Sequence, residues 1–244
     1  MSPARSVDHL GDLVLRPVRG HHAFEGCVEQ LATAIRLGVY PFGSPLPTER
    51  DLAERLRVSR TTLREAIAGL RQAGMVSTTR GRGGGTVVSY RPEAPARGAS
   101  PGLADRKVQL LDSLTFRRIV EPGACYVAAA RTLSASERML LTTSLAAADD
   151  AVDSATHRQA DSRLHLAIAS VTASPMTITS VTEVQSCLHD MLQAIPVLDV
   201  NIEHSSRQHR AIVKAVLDGE PTRARRAMEQ HCDDTAALLR GLLG

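Results

Sequence analysis

Three histidines and one aspartate in the C-terminal half of the chain fall at spacings that suit a metal ion. His209, Ile212, Val213, Val216 and Leu217 recur at i, i+3, i+4, i+7 and i+8, which puts His209 at the head of an apolar helical stripe. His231 stands in the middle of a second stripe, Ala224, Met228, His231, Thr235, Leu238 and Leu242, in which the Thr235 hydroxyl can bond back to a carbonyl one turn earlier. Asp161 and His165 are four apart and share one helical face beside Leu164, Ile168 and Val171. A histidine in such a stripe serves either as a hydrogen-bonded core residue or as a ligand. Burying all four groups unpaired would be costly, whereas one divalent ion taking imidazole nitrogens and a carboxylate oxygen satisfies them together. Zinc, nickel and manganese suit that donor set. Spacing alone leaves the polar core cluster and the metal site both open.

A second group of residues is suited to nucleic acid. Between Leu46 and Gly85 the pattern predicts two short helices, a tight turn and a glycine-rich hairpin, the outline of a winged helix-turn-helix. Thr48 is placed to cap the first helix, with Asp51 three residues on, and Leu52, Ala53 and Leu56 form its apolar face. Val58 and Ser59 make the turn; Ser59 can cap a second helix whose Leu63, Ile67 and Leu70 point inward, and Gly74 ends it. Arg60, Thr61 and Arg64 then project from the outer side of its first turn, where a recognition helix presents side chains to bases and phosphates. Segments 75–79 and 86–89 are rich in β-branched residues and flank Arg80-Gly81-Arg82-Gly83-Gly84-Gly85. A tip without bulky side chains can approach a sugar-phosphate chain while its arginines supply charge, although an ordinary hairpin would carry the same glycines.

The elements that hold these groups are mainly helical. The chain has 244 residues, 43% hydrophobic, with six aromatics and no Trp, so its cores must be built from Leu, Val, Ile and Ala. The expected fold class is mainly α: an N-terminal winged helix-turn-helix followed by an all-α antiparallel helical bundle. Residues 1–22 lack periodicity and read as a tail or strand-like arm. Residues 23–90 hold the winged domain, opened by a helix bearing Phe24, Val28, Leu31 and Ile35 and closed by Gly38. Residues 91–106 are rich in Pro, Gly and Ala and read as a linker. Residues 107–244 hold about six helices, near 107–131, 135–150, 155–172, 176–195, 203–218 and 221–242, with Pro122 expected to kink or break the first and Pro221 to start the last.

Charge separates along the same boundary. Residues 1–92 carry 13 Lys and Arg against 8 Asp and Glu, net +5; residues 93–244 carry 16 against 18, net −2. The basic excess lies on the part with the DNA-reading pattern, as a footprint on phosphate requires. Cys27, Cys125, Cys187 and Cys232 form no C-x-x-C pair, which argues against a zinc knuckle or redox dithiol. No apolar run has the length of a signal peptide core or a membrane span, so a soluble cytoplasmic protein without membrane contact is expected.

The stretch "LPTERDLAERLRVSRTTLREAIAGLRQAGMV", with "TTRGRGGGTVV" after it, resembles the DNA-binding domain of GntR-type bacterial regulators from about Phe24 to Val88. That resemblance implies DNA contacts at Arg50, Ser59, Arg60, Thr61, Thr62, Arg64, Arg80 and Gly81. "FRRIVEPGACYVAAART", "ADSRLHLAIA", "SSRQHRAIVKAV" and "RARRAMEQH" resemble the all-helical FCD effector domain of the FadR-like subgroup, over roughly Leu110 to Leu243. Many members of that subgroup bind metal through Asp, His, His and His, which correspond to Asp161, His165, His209 and His231. Arg117 aligns with an arginine that can hold the effector's carboxylate, with Arg118 as the alternative register. His189 and His204 lie off the pattern and are expected at the surface. Ser174-Pro175 replaces the usual Asn-Pro.

The expected function is that of a DNA-binding transcriptional regulator, a repressor, that meets a palindromic operator as a homodimer. Its operator affinity would be controlled by a carboxylate or lipid-like metabolite held in a metal-containing helical domain. A metal-stapled architectural DNA binder without an effector is one rival. A metal-dependent enzyme is another, disfavoured because no general base or charge stabiliser accompanies the four candidate ligands.

Overall fold

The computed structural model describes residues 9–18, 23–79, 85–92, 103–192 and 199–243. Contacts divide the chain into two units, Met1–Arg91 and Pro92–Gly244.

The first unit is built on α2 (Ala23–Arg36), α3 (Glu49–Leu56), α4 (Arg60–Gln72) and an antiparallel ribbon of β1 (Val76–Thr78) and β2 (Thr86–Val88), paired Val76 to Val88 and Thr78 to Thr86. Its core is Leu31, Ile35, Leu52, Leu56, Leu63, Leu70, Val76 and Val88, the inward positions of each element. The loop before α3 joins the ribbon: Leu46 N–H donates to Thr86 O, Val88 N–H donates to Ser44 O, and Pro45 bridges to Val87.

The N-terminal stretch departs from the expected tail or arm. His9–Val14 form a short helix, α1, and Leu10, Val14 and Leu15 are buried. Val18 N–H donates to Leu56 O, and Arg55 pairs with Asp12. A side chain on Gly11 would collide with the Tyr40 hydroxyl, so the glycine lets α1 lie against that ring. Six residues are too few for helical periodicity to stand out; packing rather than propensity holds such a helix.

The second unit consists, among the described residues, of six helices: α5 (Leu103–Ala130), α6 (Ala135–Asp149), α7 (Ser154–Ser170), α8 (Pro175–Leu192), α9 (Asp199–Leu217) and α10 (Pro221–Leu243). α10 packs on α5 and α9, while α7 packs on α6 and α8. Caps set several starts. Ser134 and Glu137 form a capping box on α6, the Asp153 carboxylate accepts from Ala155 and Thr156 N–H at α7, and Ser174 accepts from Thr177 N–H before Pro175. Pro122 does not break α5, which continues from Leu103 through to Ala130. An interior proline costs about 3 kcal/mol, but α5 is packed against α7, α8, α9 and α10, and that burial outweighs the lost bond.

Two apolar clusters fill this unit. One contains Cys125, Ala128, Leu141, Leu164, Ile168, Ile212, Val213, Val216 and Met228; the other contains Leu110, Leu114, Val184, Leu188, Ala236 and Leu239. Along α5, Arg117 and Glu121 fall between Leu114 and Cys125; along α10, His231 and Thr235 fall between Met228 and Ala236. A layer of polar side chains thus separates the clusters.

Candidate metal centre and nucleic-acid interface

The polar layer gathers His165 from α7, His209 from α9 and His231 from α10, each 2% exposed or less. The inward spacing of each helix delivers its imidazole to one point. Ring centroids lie 4.6 to 5.4 Å apart, and the three offer ligand nitrogens within 4.8 Å of one another. Asp161, one turn before His165, brings Oδ1 to 3.4 Å from His209 Nε2 and Oδ2 to 3.9 Å from His165 Nε2. Its side chain keeps 25% exposure, and it lines the cavity described below.

A partner behind the His231 ring turns its Nε2 inward. His231 Nδ1–H donates to Gln208 Oε1 at 3.0 Å, and Gln208 donates in turn to Asp234. His165 Nδ1 comes within 2.9 Å of Glu121 Oε2, close enough for charge attraction but off the line of a good hydrogen bond. Outer partners of this kind select the tautomer that leaves Nε2 free as an acceptor or ligand. His209 Nε2 stands 3.4 Å from His231 Nε2, a separation that either an N–H donated from one ring to the other or a cation shared by both accounts for. The donor set, three imidazole nitrogens beside a carboxylate, fits a borderline divalent ion.

Arg117 completes the layer. It is 3% exposed; Nε donates to Glu121 Oε2 at 2.9 Å, and Nη2 stands 3.2 Å from His165 Nε2 and 3.0 Å from His231 Nε2. Gln185 donates to the other Glu121 oxygen at 2.7 Å. Arg118 points elsewhere, half-exposed and paired with Asp233 and Glu229, so of the two arginines only Arg117 enters the layer.

Burial favours the neutral form of His209 and takes its pKa down to about 4; burial likewise lowers that of His231, with His209 and Arg117 adding to the effect. Burial alone would raise Asp161, but His209, His165, His157 and Arg117 outweigh it and keep the carboxyl below its usual range. Glu121 is held ionised in the same way, its burial overcome by Arg117 and His165. His209 and His231 are therefore neutral and Asp161 and Glu121 charged, the protonation states in which both donor types ligate.

Above the layer lies a cavity of about 140 Å³. Arg117, Asp161 and His231 line it, and Leu188, Ile202, Leu238 and Leu239 give it an aliphatic wall. His157 and His189 also line it, 7% and 4% exposed. His189 is thus not the surface residue its place off the pattern suggests, because it faces this cavity rather than solvent. His204 is half-exposed as expected and pairs with Asp234. Sequence reading missed Glu121, Gln185, Gln208 and His157. Only Glu121 leaves a signal, an Arg-to-Glu spacing of four on an otherwise apolar face.

In the first unit the Thr48 hydroxyl accepts from Asp51 N–H and caps α3; Arg57, with φ of 53°, ends it in the left-handed region. Ser59 Oγ accepts from Thr62 N–H at 3.0 Å and lies 2.8 Å from Thr62 Oγ1, so both hydroxyls serve the α4 cap. Arg50, Ser59, Arg60, Thr61 and Arg64 are exposed, and Thr62 is half-buried. Arg64 Nε donates to Glu49 Oε2 at 2.7 Å across the turn between the helices, and Arg50 pairs loosely with Asp51. Arg80 and Gly81 lie outside the described residues.

The family model described as "Bacterial regulatory proteins, gntR family" matches residues 25–88, and the FCD domain model matches residues 112–234. The chain belongs to the GntR family of regulators. It is 30% identical over 218 residues to the protein called HTH-type transcriptional regulator RmpR of Mycobacterium gastri, covering 85% of this chain and 76% of that one. It is also 30% identical over 224 residues to the Glc operon transcriptional activator of Escherichia coli K12, covering 85% of each. Escherichia coli McbR/YncC shares the fold, with a TM-score of 0.52 at 17% identity over 91% of this chain and 99% of that one. The GntR protein is accordingly a transcriptional regulator with an FCD effector-binding domain, not an enzyme. No helix among its described residues is long and apolar enough to cross a membrane.

A last surface of this regulator is the outer side of α5. On α5, Val108, Phe116, Ile119, Tyr126 and Val127 are 41% to 71% exposed and fall within about a third of the helix circumference, with Gly123 among them.

Proposed function

We propose that the regulator binds operator DNA as a homodimer through Arg50, Ser59, Arg60, Thr61, Thr62 and Arg64, with Arg80 and Gly81 at the wing, and that a small carboxylic acid controls this binding. The observation that carries the reading is the convergence of His165, His209, His231 and Asp161 with Arg117 beside a cavity that Arg117, Asp161 and His231 line. A divalent ion on the first four would supply a Lewis-acidic seat for a carboxylate, and Arg117 would supply a guanidinium beside it. A cavity near 150 Å³ takes a molecule about the size of benzene, so about 140 Å³ favours a small organic acid over the lipid-like ligand also considered from sequence. The exposed apolar face of α5 supports pairing, since such a face on a monomer is a liability and two-fold copies would cover it.

The test begins with elemental analysis of protein purified without chelator and offered zinc, nickel and manganese in turn. Each metal-loaded form is then titrated with organic acids of two to six carbons while its affinity for operator is followed by gel shift. Chelation is expected to lower the melting temperature of the helical unit and to abolish acid binding. Failure to take up any ion would reduce the four residues to a polar core cluster. Metal uptake without an effect of any acid on operator affinity would favour the architectural reading instead.

A further inference from the structure

His157 belongs to neither the metal group nor the apolar clusters, yet it is more than nine-tenths buried. It stands four residues before Asp161 on the same face of α7, and both line the cavity. Its Nε2 has no hydrogen-bond partner among the described residues, whereas His165 and His231 are tied through Arg117, Glu121 and Gln208. A buried ring nitrogen left without a partner at the wall of a cavity is explained when a ligand supplies the partner.

We infer that His157 is a specificity-determining residue of the effector cavity and receives a second polar group of the acid, a carboxylate or a hydroxyl. The inference rests on the effector reading above and extends it. Residues four apart on a helix hold their Cβ atoms about 5 to 6 Å apart, so a ligand anchored by one carboxylate near Asp161 and Arg117 meets His157 about three or four carbons further on. The same cavity is lined by Leu188, Leu238 and Leu239, whose aliphatic side chains suit a methylene chain. The ligand class is a short acid with a polar group at each end. A simple fatty acid of equal length would leave Nε2 unsatisfied and would gain nothing at that end.

Succinate, 4-hydroxybutyrate and butyrate share one chain length and separate the possibilities. Calorimetric titration of the full-length, zinc-loaded protein should show succinate, 4-hydroxybutyrate or both binding about tenfold tighter than butyrate, the worth of one added hydrogen bond. In His157→Leu that advantage should vanish while butyrate affinity stays. In His157→Gln, which moves the polar atoms, the succinate to 4-hydroxybutyrate ratio should change. Equal affinity for all three acids in the wild type, or an advantage surviving in His157→Leu, would overturn the inference and leave the effector reading standing. If His157→Leu does not fold, an unchanged ratio in His157→Gln overturns it. Binding of no acid at all defeats the effector reading and this inference with it.

Discussion

Nη2 of Arg117 lies 3.0 Å from Nε2 of His231, on the lone pair that a bound ion would take. The same guanidinium is held through Nε by buried Glu121. Arg117 therefore faces two ways, towards the imidazoles and towards its counter-ion.

Removing Arg117 should separate those roles. Arg117→Ala should leave metal uptake undiminished, because no ligand atom is lost, while weakening acid binding by at least about tenfold. It should also lower stability by roughly 3 to 5 kcal/mol, since Glu121 is left charged and buried. The double variant Arg117→Gln/Glu121→Gln should recover much of that stability without recovering acid binding. Denaturant melts and calorimetry check both halves, and a single variant as stable as wild type would contradict the buried-pair argument.

Arg60→Ala and Arg64→Ala should each weaken operator binding by about 1 to 3 kcal/mol without altering the melting temperature, because both project from the exposed side of α4. Glu49→Gln should act in the opposite direction. Glu49 holds Arg64 at 2.7 Å, and freeing that guanidinium should tighten DNA binding and steepen its dependence on salt. Gel shifts at two salt concentrations decide the sign.

Acidic residues on the outer face of α5 should divide the proposed dimer. Ile119→Asp with Tyr126→Asp places two charges on the exposed apolar stripe, where they cost little in a monomer and much in a covered interface. Light scattering should fall to the monomer mass with helical circular dichroism unchanged. A monomeric wild type, free and on DNA, would remove the two-fold reading.

At the start of α7 the Asp153 carboxylate accepts from Thr156 and Ala155 N–H, and those bonds, with Arg158 adding charge, outweigh the opposing effect of burial and hold its pKa below the ordinary range. A depressed carboxyl contributes stability that is present above the unfolded value, near 3.9, and is lost as pH falls through the folded one. Asp153→Ala should thus cost about 1 kcal/mol at neutral pH, and the gap to wild type should close below pH 4. Thermal melts at pH 7 and pH 3.5 measure it. A gap independent of pH would show that the charge of the cap plays no part.

The parts of the molecule legible from sequence are those where one helix carries the whole pattern. Leu63, Ile67 and Leu70 orient α4 without help from any other element, and His209 and His231 each sit in a stripe of their own. What required the structure is what depends on two helices at once. Gln185 and Gln208 look like solvent-facing residues until α5 and α10 are placed against them. The choice between Arg117 and Arg118 is one residue of register on α5, and only the position of α10 decides it, by giving Arg118 the acids Glu229 and Asp233. α1 escaped notice for the opposite reason, being too short to show a period.

The polar layer between the two apolar clusters also acts as an alignment key for the bundle. Sliding α5 against α10 by one turn would carry Arg117 from His231 towards an apolar cluster and strand its charge in hydrocarbon, which holds the observed register. The cavity rim at His157, Ile202 and Leu238 takes no part in that key. Under the proposed function, substitutions there change which acid is taken without disturbing how the helices find their places, so a lineage of such proteins acquires new signals while keeping one scaffold intact.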